Sequence, residues 1–198
     1  MSYAEILESE FRNWTFDVPA VAQRQLAMYA GEIDYWNKAV NLTALHGAAL
    51  VRRLIVEPAW VGRHLEMSGV VADVGSGNGS PGIPLCVTGF FSEVHLIEPR
   101  VRRAAFLRHV ITKLGLKGVV VERSRLEDLP EKSVSADWIT LQALDPTPSL
   151  IRAMRRIACN TTRVVWITSL ASPPVSKAEL LEVPQSTTKV WVFRLDQS

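Results

Sequence analysis

The sequence predicts an α/β fold: a Rossmann-like, doubly wound and mostly parallel sheet with an N-terminal helical cap. Three observations predict it. After about residue 68, short apolar segments alternate with helical ones, the pattern of strands joined by crossover helices. A glycine-rich loop follows the first of those segments, and in such sheets ligands bind at the carboxyl edge of the strands. Before residue 68, apolar residues recur at helical spacing instead. The expected organisation is a helical cap over residues 1–67 and a Rossmann-like core over residues 68–198.

The elements follow in order. Asp17 is a candidate N-cap and Pro19 suits a first helical turn. Val18, Ala22, Leu26, Tyr29, Ile33 and Trp36 then form one apolar stripe at spacings of three and four. A second helical run covers about Ala48 to Leu65. Val70–Val74, Val94–Ile97, Val119–Val121, Trp138–Leu141, Val164–Thr168 and Val190–Leu195 read as strands. The longest intervening helix runs from about Arg100 to Gly115, with Val101, Ala104, Ala105, Ile111 and Leu114 inward. Right-handed crossovers make the sheet doubly wound. Trp36 and Trp191 suit buried positions. The stretch from Ala171 to Ser186, with Pro173, Pro174 and Pro184, fits no element.

Composition excludes several classes. With 198 residues, 47% hydrophobic and 21% charged, the chain can bury a core without a staple and is not a disordered sequence. No apolar run approaches the ~18–20 residues of a membrane span. The acidic start, MSYAEILESE, is no secretory signal. Cys86 and Cys159 form no CxxC pair, which excludes a zinc knuckle or disulfide framework. We therefore expect a cytoplasmic monomer without metal. The net charge of +2 averages two unlike segments. Residues 1–34 hold six acids and two bases, whereas residues 100–125 hold eight bases and one acid.

The loop Asp73-Val-Gly-Ser-Gly-Asn-Gly79 carries the chemistry. Its glycines permit positive φ and close approach of backbone to a ligand. An acid two residues before the first glycine fits a nucleoside better than a bare pyrophosphate. Glu98 ends the second expected strand, about twenty residues on, where an acid accepts hydrogen bonds from ribose hydroxyls; capping the next helix is the competing role. Pro81 and Pro84 remove N–H groups that a dinucleotide's phosphates would need. S-adenosyl-L-methionine carries no phosphate and loses nothing there.

Three segments carry a family resemblance: Trp36-Asn-Lys-Ala-Val-Asn-Leu-Thr43, Asp73-Val-Gly-Ser-Gly-Asn-Gly-Ser-Pro-Gly-Ile-Pro-Leu85 and Arg102-Arg-Ala-Ala-Phe-Leu-Arg108. Over residues 20–127 the chain resembles the RsmG/GidB family of bacterial 16S ribosomal RNA guanine-N7 methyltransferases. The resemblance implies a class I S-adenosylmethionine-dependent methyltransferase fold and a partner in 16S ribosomal RNA or the small ribosomal subunit. It implies cofactor contacts from Asp73, Gly75, Ser76, Gly77, Asn78 and Gly79, from Glu98 and Pro99, and from Arg125, Leu126 and Glu127 near the adenine. Glu98 stands where the family usually has Asp.

The chain departs from the family at three places. Where the family has R-H-[IL]-x-D-S, it reads Arg52-Arg-Leu-Ile-Val-Glu57. Thr140-Leu-Gln142 replaces S-R-A, and Ile167-Thr168-Ser169 replaces L-K-G. The cofactor pocket is thus better supported than the substrate site, and no catalytic residue is nominated. Guanine N7 has an in-plane lone pair, so methylation there needs alignment rather than a general base. His46, His64, His95 and His109 read as isolated surface or structural residues. RNA contact falls to Arg52, Arg53, Arg102, Arg103 and Lys113, with solvated helix faces as the competing reading. Two rival functions stay open. One is a degenerate paralogue that binds a nucleoside or RNA; the other, disfavoured by the prolines, is a nicotinamide oxidoreductase.

Overall fold

A computed structural model of the chain describes residues 1–15 and 17–195. Helix α1 (Tyr3–Asn13) opens with a capping box in which Ser2 and Glu5 satisfy each other's backbone N–H groups. Helix α2 (Ala20–Val40) follows, then α3 (Gly47–Val51), a π-helical turn over Arg52–Val56, and α4 (Glu57–His64). The core elements are β1 (Ser68–Val74), α5 (Gly82–Thr88), β2 (Phe90–Ile97), α6 (Val101–Leu114), β3 (Val119–Glu122), β4 (Ala136–Gln142), α7 (Pro148–Arg155) and β5 (Ala158–Thr168). Strands β6 (Glu179–Glu182) and β7 (Lys189–Arg194) complete the sheet.

The strand order is β3-β2-β1-β4-β5-β7-β6. The first five strands run parallel, and β7 and β6 add antiparallel. The order reverses between β1 and β4, which opens a crevice at their carboxyl ends. Side chains alternate between the two faces with period two. Val71, Val94, Leu96 and Val165 join α5, α6 and the N-terminal helices in one core. Ala72, Val74, Ile139 and Trp166 face α7 in the other.

Several expected boundaries move. Pro19, not Asp17, is the N-cap of α2, with extended ψ of 143° and no side-chain cap bond. A residue before proline is pushed out of the helical region, so Val18 delays the helix. The stripe itself is present: Val18, Ala22, Leu26, Tyr29 and Ile33 are buried, while Trp36 is half-buried against Phe106 and His109. The run expected from Ala48 to Leu65 contains the π turn. Pro58 supplies no N–H to the carbonyl four residues back and its ring crowds that carbonyl, which favours a wider turn just upstream.

Helix α6 bears out part of the expected face: Ala104 and Leu114 are buried and Ile111 packs against the core. Val101 is 62% exposed and Ala105 is exposed, whereas Phe106, Leu107 and Val110 are buried. The first-turn Val101 lies outside the packed stripe, so a face counted from it is rotated. The unplaced segment 171–186 contains β6, an edge strand that pairs with β7. None of the described helices is long and apolar enough to cross a membrane.

Candidate functional site

The glycine loop is built by its own backbone. Gly75 and Ser76 both donate to the Ile97 carbonyl, at 2.9 and 3.1 Å. This pins the loop to the end of β2. Gly75 has φ of +72°, so a side chain there would be strained, and its Cβ would press on Leu144 at 3.0 Å. Gly77 (φ +51°) donates its N–H to Glu98 Oε2 at 3.0 Å, and Arg100 N–H donates to Oε1 at 2.8 Å. Glu98 is 3% exposed. Two backbone amides thus orient a buried carboxylate, which has about four acceptor positions. Two remain free. The competing roles for Glu98 coincide in part, because its bond to Arg100 also steadies the entry to α6.

These groups line a cleft of roughly 870 Å³ at the carboxyl edge of β1, β2, β3 and β4. That volume lies in the range of small-molecule sites, about 300–1,000 Å³. Gly75, Ser76, Gly77, Asn78, Glu98, Pro99, Arg125, Leu126 and Glu127 all line it, as do Arg53 and Arg103. Arg125 precedes a 3-10 turn over Leu126–Asp128. Arg156 at the end of α7 holds that turn through the carbonyls of Glu127 and Leu129.

Other expected site residues lie elsewhere. Asp73 is 1% exposed beneath the loop and accepts a hydrogen bond from Thr140 Oγ1 at 2.8 Å. Burial pushes its carboxyl up to about 6, against the opposing pull of that hydrogen bond. Gly79 (φ +94°) turns against Ile83 and Leu107, so it serves packing rather than the cleft. Arg52 forks onto Glu10 through Nε at 3.0 Å and Nη2 at 2.7 Å. Lys113 and His109 both pair with Glu32 of α2. Arg102 is exposed away from the cleft lining. The histidines are not isolated: His64 stacks on Trp60, His46 faces Asp34, and His95 lies between Glu93 and Glu122.

The sequence reading missed part of the wall. Leu42, Thr43 and Leu45 line the cleft because Asn37 staples the turn after α2. Its Nδ2 donates to the Thr43 carbonyl, and its Oδ1 accepts from Leu42 and Thr43 N–H, at 2.6–3.0 Å. Asn41 ends α2 in the left-handed conformation. Tyr29, read as part of an apolar stripe, donates its hydroxyl to the Asn78 carbonyl at 2.9 Å. Gln142 and Thr168, noted only as departures, also line the cleft. The W-N-x-x-x-N-L-T spacing was the one available signal for the first group.

The family model for GidB, rRNA small subunit methyltransferase G, matches residues 22–174. This chain belongs to the GidB family. A relative in Helicobacter hepaticus, named ribosomal RNA small subunit methyltransferase G, is 34% identical over 140 residues, covering 70% of this chain and 76% of its own. Among solved structures, a SAM-dependent methyltransferase from Aquifex aeolicus superposes with TM-score 0.52 at 16% identity, covering 82% of this chain and 97% of its own. MtNAS in complex with MTA and tNA gives 0.57 at 19%, covering 88% and 70%. At those identities the likeness shows the fold, a class I methyltransferase. In this GidB member, Arg53, Gln142 and Thr168, which lie in the segments read from sequence as departures, line the cleft.

Proposed function

We propose that this chain is an S-adenosyl-L-methionine-dependent methyltransferase that methylates a base of 16S ribosomal RNA in the small ribosomal subunit. The observation that carries the reading is the oriented Glu98 carboxylate beside the backbone of Gly75 and Gly77 in one cleft. The residues present fit the cofactor. Glu98 keeps acceptor positions for ribose hydroxyls, and Leu126 offers an apolar surface for an adenine. The first turn of α5 offers little to a pyrophosphate, since the Ile83 N–H is taken by the Gly79 carbonyl and Pro84 has none. A dinucleotide is disfavoured accordingly.

When bound, S-adenosyl-L-methionine supplies an electrophilic methyl group. The chain's own work is then orientation. Glu98 and the loop fix the nucleoside end, while Leu42, Thr43 and Leu45 wall the cleft. No histidine lines the cleft among the described residues, and its acids are Glu98, Glu127 and Asp145. A target with an unprotonated in-plane lone pair, such as guanine N7, needs no base there. As part of the proposal, residues 1–67 act as a helical cap to the 68–198 core.

Calorimetry with S-adenosylhomocysteine and labelled methyl transfer onto small ribosomal subunits test the reading. Micromolar-range binding together with turnover supports it. Binding without turnover on any RNA points to a degenerate paralogue. Preference for a nicotinamide cofactor overturns it.

A further inference from the structure

Arg52 and Arg53 are adjacent in the π turn, yet they are used in opposite ways. Arg52 spends its fork on Glu10. Arg53 turns into the cleft with a third of its side chain exposed. It is held only from behind: Nη1 donates to Thr188 Oγ1, and Nε lies 3.8 Å from Glu57 Oε2, too far for a hydrogen bond. Glu57 is instead satisfied by the hydroxyls of Ser186 and Thr188, at 2.6 and 2.5 Å. The Nη2 edge of Arg53 therefore has no hydrogen-bond partner among the described residues.

The backbone that carries Arg53 is also fixed. Gln142 Nε2 donates to the Arg53 carbonyl at 3.3 Å, and Gln142 Oε1 accepts from Ser80 Oγ at 2.7 Å. This ties the π turn to the end of β4 and to the glycine loop. Glu98, Arg100, Arg103 and Arg125 all follow β2 or β3, on one half of the sheet edge. Among the cleft-lining residues, Arg53 is the one cation facing the half over β4 and β5. Asp145, the acid on that half, is exposed.

We propose that Arg53 is the acceptor-positioning residue of this cleft: its free Nη2 edge binds a phosphate oxygen of the RNA strand and sets the target base against the methyl donor. This rests on the methyltransferase reading above. A planar, weakly hydrated guanidinium with one edge anchored and one edge free suits a phosphate. It gives this chain a cation on the acceptor side, where Leu141 and Thr168 carry no charge.

The test uses Arg53→Gln and Arg53→Lys in the full chain, with three measurements. These are S-adenosylhomocysteine affinity, steady-state methyl transfer onto small ribosomal subunits, and RNA affinity against salt. Arg53→Gln is expected to raise the RNA KM about tenfold, lower kcat severalfold as the base loses alignment, leave S-adenosylhomocysteine affinity within about twofold, and reduce the salt slope by about one. Arg53→Lys recovers part of the loss. An unchanged KM and salt slope in Arg53→Gln overturns the proposal, and so does a loss that falls on S-adenosylhomocysteine instead. If the wild-type chain methylates no RNA, the methyltransferase reading fails separately. The salt slope then decides whether Arg53 grips phosphate.

Discussion

Asp73 and Glu98 are both carboxylic acids with almost no exposure, yet the fold treats them differently. Glu98 is oriented by two backbone amides at the cleft wall; Asp73 lies beneath the loop, where burial raises its carboxyl from 3.8 to about 6 against the Thr140 hydrogen bond. Between those values the folded chain keeps a proton that the unfolded chain releases. Stability therefore falls as pH rises from about 4 to about 6 and is level in this respect above that. Asp73→Asn is expected to flatten this window; urea titrations at pH 4.5 and 7 check it, and an unchanged difference between them would refute the assignment. For Glu98→Ala we expect roughly a thirtyfold loss of S-adenosylhomocysteine affinity, equivalent to about 2 kcal/mol. Glu98→Asp should restore part of it, since it keeps the carboxylate on a shorter stem. Calorimetry reads both variants.

At the scale of elements, the glycine loop and Glu98 were legible because their signal is local: residue types at fixed spacing beside an apolar strand. The turn after α2 was half legible. Its asparagines were visible, but the three hydrogen bonds that Asn37 makes were not. Asn37→Ala leaves the Leu42–Leu45 wall unsupported, with an expected cost of about 1–3 kcal/mol. Urea denaturation measures that cost, and weaker S-adenosylhomocysteine binding should accompany it. If affinity holds while stability drops, the wall is not part of the cofactor site. On α6, Ala104, Ile111 and Leu114 point inward as expected, but Val101 and Ala105 do not, for a related reason. A count from Val101 ignores where the sheet lies, and only tertiary packing decides which adjoining stripe is covered. The Tyr29 hydroxyl and Gln142 left no pattern at all, because their partners lie 49 and 62–89 positions away.

Across the whole molecule, the basic segment 100–125 is less free than its composition suggests. Lys113 and His109 are occupied by Glu32, whose carboxyl is held low by their hydrogen bonds despite burial pulling it up. The acidic N-terminal residues thus neutralise part of the basic region internally. Lys113→Ala is expected to cost about 1 kcal/mol of stability and to leave the salt slope of RNA binding unchanged. Filter binding across a salt series checks this; a slope lowered by one would put Lys113 on the RNA.

The hydroxyl pair Ser186 and Thr188 joins Glu57 across 129 and 131 positions, and Arg53 across 135. Synthesis runs from the N-terminus, so the helices and the first five strands emerge before these two side chains exist. Until then Glu57 is a carboxylate without its hydroxyl partners, and the Arg53 guanidinium lacks its Thr188 anchor. A nascent chain halted before Ser186 should therefore assemble the nucleoside half of its cleft but not the acceptor half. Competence to engage RNA would arrive with the last strands to leave the ribosome.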